Sequence, residues 1–217
     1  MSLAGIWIQE PQTRDYRIEL ARSLVEEILF FSDNSLNQFK LLPTSAVLFS
    51  NSFLQLISEI FVDQQFPPPI IQDIITEWVS KYPTLLFAYG PQVSETGSIA
   101  LAGLIRWCSL APLFENQPNY SKLHLSLLQS LSNQEAIQVK PVIFTKQLEV
   151  VVDVFLKVSK TTKDQEDVQK SLERFAQIIA ISRQYLYGNV PLFVERLKKL
   201  PSNLLLDIVI TSVQNNT

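Results

Sequence analysis

The chain has 217 residues and a mass of 24.7 kDa, and its 47% apolar content supplies enough burial to offset chain entropy, which excludes a disordered polymer. Five glycines are too few for a turn-dense sandwich or barrel or for a glycine-built phosphate loop. A net charge of −3 leaves no bulk cationic field for nucleic acid, and one cysteine and one histidine exclude a disulfide framework and a zinc site of the Cys/His type.

The opening residues MSLAGIWIQEP lack the basic start and long apolar run of a secretory signal, so the expected compartment is the nucleus or cytosol. The first predicted helix covers roughly 15–31, where Leu20, Leu24, Ile28 and Phe31 step by helical spacing along one face. The charge-free run from Leu41 to Ser58 carries too many Ser, Thr, Asn and Gln residues for a membrane span and reads as a buried helix instead. Within 45–62, Phe49, Phe53, Leu56 and Ile60 form its stripe. Pro67, Pro68 and Pro69 then make a rigid entry to a helix lined by Ile71, Ile74, Ile75, Trp78 and Val79, with Pro83 as its stop.

Gly90, Pro91 and Gly97 predict a loop. A helix follows through Leu101, Leu104, Ile105 and Cys108 to Pro112, where Gly103 is suited to close helix approach and Trp107 to burial. After the polar connector ENQPN, Tyr120 to Leu131 forms another apolar stripe. Pro141 is expected to open a helix lined by Phe144, Leu148, Val151, Phe155 and Val158. Asp164 is a candidate N-cap for a helix carrying Val168, Leu172, Phe175 and Ile179, which is expected to end at Gly188. Pro191 starts a short helix with Arg196, Lys198 and Lys199 in its last turn, and Ser202 is the expected cap of a final helix through Ile210.

The reading is therefore an all-α chain: an irregular HEAT- or armadillo-like stack of about eight to ten antiparallel helices, without a convincing strand. It is read as one domain over 1–217, with 1–14 as a flexible lead-in and 212–217 as a tail.

Reactive chemistry is sparse. His124 lies among Leu123, Leu125, Leu127 and Leu128 without a nucleophile elbow, which favours a structural histidine over a catalytic one. Cys108 reads as a small buried thiol. Asp73/Glu77 and Glu149/Asp153 each place two carboxylates on one helix face, but a dimetal site also needs histidines that the chain lacks, so solvated faces are expected. Lys157, Lys160 and Lys163 read as a solvated loop. No catalytic residue, metal ligand or cofactor site is assigned. An enzyme centred on His124 or Cys108 is a competing reading, and it requires one of those side chains to open onto a pocket holding a second titratable group.

Four colinear stretches are more specific. GLIRWCSLAPL (Gly103 to Leu113) followed, after FENQPN, by YSKLHLSLLQSL (Tyr120 to Leu131) resembles the centre of the Integrator complex subunit 15 family. PPPIIQDIITEWVSKYPTLL (Pro67 to Leu86) is similar to that family's proline-led helix. SLERFAQIIAIS (Ser171 to Ser182) and LPSNLLLDIVITSVQ (Leu200 to Gln214) resemble its last two helices. The resemblance spans Ser45 to Gln214 and is weaker before Ser45.

It implies a nuclear, non-catalytic scaffold subunit of Integrator, an assembly on RNA polymerase II that processes small nuclear RNA 3′ ends and terminates transcription. The implied partners are subunit 10 and the module it forms with subunits 13 and 14, with no direct nucleic-acid or membrane contact. Family members continue into a long Pro-rich tail, whereas this chain stops at Asn216-Thr217. Aromatic and arginine residues favour interface centres, so Phe87, Tyr89, Arg106, Phe114 and Tyr120 are the expected partner contacts. An adaptor for a cytoplasmic assembly predicts the same fold and differs in compartment.

Overall fold

The computed structural model describes residues 14–62, 68–86, 99–114, 118–133, 143–158 and 165–215. Among them the chain forms eleven α-helices: α1 (Arg14–Leu29), α2 (Asp33–Lys40), α3 (Leu42–Ser45), α4 (Val47–Val62), α5 (Pro69–Lys81), α6 (Ile99–Phe114), α7 (Pro118–Ser132), α8 (Thr145–Val158), α9 (Gln165–Ser182), α10 (Val190–Leu197) and α11 (Leu204–Gln214). Two 3₁₀ turns, Pro83–Leu86 and Arg183–Tyr185, follow α5 and α9.

From α4 onward each helix packs on the next but one among the described helices. One row runs α4, α6, α8 and α10, and the other runs α5, α7, α9 and α11. α1 leans on α4. The rows meet where α6 packs on both α7 and α9, and again where α10 meets α11. Starts at Pro69, Pro118, Gln165 and Leu204 place successive members of the second row about 40–50 residues apart, the size of one helical-pair unit.

α6 is the hub, and its composition accounts for that. A helix that is apolar all round must be enclosed. Ala100, Leu101, Leu104, Ile105, Trp107, Cys108, Leu110 and Ala111 are all buried. Gly103 brings α6 against α4: a Cβ there would lie 2.3 Å from Ser58 Cβ and 2.8 Å from the Ser58 carbonyl oxygen.

The proline-led helix lies where the sequence places it, with Pro69 at its first position and Ile71, Ile74, Ile75, Trp78 and Val79 buried. Its tryptophan is the centre of an aromatic cluster. The Trp78 ring stacks on Phe39 at 5.4 Å between centroids and meets Phe53 edge-on at 5.7 Å, while its Nε1–H donates to the Lys40 carbonyl at 3.0 Å.

Other expectations need correction. α2 carries no helical signal in the sequence, because DNSLNQFK has two apolar residues and no stripe. It forms because Ser32 caps it, accepting from the Ser35 N–H at 3.3 Å, and because Phe39 is buried. On α1 the enclosed residues are Ala21, Val25 and Ile28, with Leu20 and Leu24 at the flank, and Phe31, two residues past its end, is about one third exposed.

A short strand pair also escapes helical periodicity. Ile143–Phe144 (β1) pairs in parallel with Leu186–Tyr187 (β2), so α8 starts at Thr145, beyond Pro141. Gly188 therefore ends a strand instead of a helix. Its φ of 114° suits glycine alone, and a Cβ there would stand 2.5 Å from Thr145 Oγ1.

The final helix is capped by Asn203, one residue beyond the expected Ser202. Asn203 accepts from the Leu206 N–H at 3.1 Å, and its amide donates to Gln169 Oε1 on α9 at 2.7 Å. α11 continues through Gln214, so residues 212–214 are helix and not tail. Lys198 and Lys199 lie just past α10, with Lys198 at its C-cap. The Asp164 cap, Lys160, Lys163 and the loop around Gly90 lie outside the described residues.

Candidate interaction surface

The buried reactive groups are held as structure. His124 on α7 is 4% exposed, and its Nε2 lies 2.8 Å from Gln177 Oε1 on α9. Burial holds its pKa below the ordinary 6.5, opposed by the Gln177 hydrogen bond. The neutral ring is the folded form, so the unfolded chain binds the extra proton and stability falls as pH drops below 6.5. Lowering pH from 7.5 to 5.5 should reduce the urea midpoint of the native protein more than that of His124→Gln.

Cys108 is buried on α6, and desolvation pushes its thiol up to about 12. A thiolate is the reactive form. The native thiol should therefore resist a disulfide reagent at pH 8 and react promptly in urea, which a single absorbance trace can measure. Nearby, Arg174 on α9 donates to Ser121 Oγ on α7 at 2.9 Å.

Two grooves mark the described surface. One of about 550 Å³ is lined by Ser80 near the end of α5, Pro83 just beyond it, and Leu125, Leu128 and Gln129 on α7. The other, of about 520 Å³, is lined by Arg183, Ile208, Thr211, Ser212 and Asn215. Neither includes His124 or Cys108, so the condition set for an enzyme centred on them is unmet there. Among the described residues no group of three or more His, Cys, Asp or Glu could hold a metal ion. No described helix is long and apolar enough to cross a membrane.

Of the two carboxylate pairs, Asp73 is exposed as expected, but the other three carboxylates are ion-paired. Arg196 of α10 donates to Glu149 Oε2 at 2.9 Å and also to Asp153, so the α8 carboxylates form one clamp that fastens α8 to α10. On α5, Glu77 accepts from Lys81 at 2.6 Å and from Lys40 at 3.2 Å. Those two lysines, Lys81 first, keep its carboxyl below the ordinary 4.5.

Of the five expected partner residues, Arg106 is half-buried on α6. Phe114 ends α6 and Tyr120 lies in the first turn of α7; their side chains, together with Phe87 and Tyr89, lie outside the described residues. Exposed apolar groups are instead spread along the described chain, Leu125, Val150, Tyr187 and Leu192 among them. The most exposed are Phe30, at 89%, Leu204, at 79%, and Leu48.

A family model described as Integrator complex subunit 15 matches residues 1–202. A fruit-fly (Drosophila melanogaster) protein named Integrator complex subunit 15 is 33% identical over 97% of this chain and 62% of its own length. The human protein of that name is 24% identical over 60% of this chain and 38% of its own. A zebrafish (Danio rerio) counterpart is 24% identical over 59% and 34%. The chain thus spans less than two thirds of the length of each of these relatives. The match begins well before Ser45, so the N-terminal portion shares in it.

Proposed function

The chain belongs to the Integrator complex subunit 15 family, and on that premise we propose that it is a non-catalytic scaffold subunit of Integrator. It acts in the nucleus in small nuclear RNA 3′-end processing and transcription termination, and it docks on subunit 10 and the module containing subunits 13 and 14. Residues 1–217 act in this as one unit, and Phe87, Tyr89, Arg106, Phe114 and Tyr120 are proposed contacts.

The observation that carries the reading is how the reactive groups are used. His124, Cys108, Arg196, Glu77, Glu149 and Asp153 are committed to joining helices or to the buried core. What is left at the surface is shape and apolar contact area, the means by which a helical stack works.

Depletion and rescue test this. Loss of the protein should raise the level of unprocessed small nuclear RNA. Wild type and the Cys108→Ala and His124→Gln variants should all restore processing, because neither side chain performs chemistry. Normal 3′ ends after depletion contradict the processing role. Failure of a folded Cys108→Ala or His124→Gln protein to rescue contradicts the non-catalytic one.

A further inference from the structure

We draw no further inference here: the strongest candidate, the groove between the C-terminal ends of α5 and α7 lined by Ser80, Pro83, Leu125, Leu128 and Gln129, has only uncharged side chains on its walls, and nothing in the structure shows what covers it.

Discussion

Trp78→Ala is expected to lower unfolding stability by about 3–5 kcal/mol, a large part of the ~5–15 kcal/mol available to a folded protein. The ring has no solvent exposure and is the point where α2, α4 and α5 meet through Phe39 and Phe53. Its removal leaves a cavity among three helices and strands the Lys40 carbonyl that its N–H satisfies.

Trp78→Phe should separate the two contributions. It keeps most of the packing and loses the hydrogen bond, at about 1–3 kcal/mol for the unsatisfied buried group. Phe39→Ala combined with Trp78→Ala should cost less than the sum of the two, since each removes the shared stacked contact. Urea unfolding curves would give all four values. A Trp78→Ala midpoint close to wild type would mean that α2 and α5 are not joined through this ring.

Gly103→Ala has the second largest expected effect, and two terms of opposite sign compete in it. Alanine is favoured over glycine inside a helix by about 1 kcal/mol. Against that, the new Cβ meets Ser58 Cβ at 2.3 Å and the Ser58 carbonyl oxygen at 2.8 Å. A side chain could rotate away, but a carbonyl within α4 moves only with its helix, so overpacking of about 1–3 kcal/mol should win. Gly103→Val should be worse still. Placing Gly103→Ala in a Ser58→Gly background should recover part of the loss, because the closest contact is gone and the carbonyl remains. A Gly103→Ala protein that melts at or above the wild-type temperature would show that α4 and α6 have room to part.

Both effects were foreshadowed in the sequence. Trp78 belongs to an amphipathic run with a proline at its head, and Gly103 is the one glycine in a helix that is otherwise mostly apolar. Long stripes such as Leu148, Val151 and Phe155 on α8 are legible because every turn repeats the signal. α2 repeats nothing: its existence depends on one cap and one phenylalanine that reaches a tryptophan 39 positions later. The β1–β2 pair is two residues on each side, too short for any period. Gly188 looks like a helix terminator because glycine suits both a helix end and the positive φ it adopts beyond β2.

The candidate surface is the least legible part. Helical spacing shows which residues share a face but not which face a neighbour covers, so the outward Leu204 and Ile208 read like core. Glu149 and Asp153 were correctly placed together, but Arg196 lies on another helix, beyond the reach of any local pattern.

The most direct test of the central claim is affinity purification of the tagged full chain from nuclei of its own cells, read by quantitative mass spectrometry. The account predicts recovery of Integrator subunits, the tenth foremost, in amounts comparable to the bait. A clean preparation that contains the bait and none of them would contradict it.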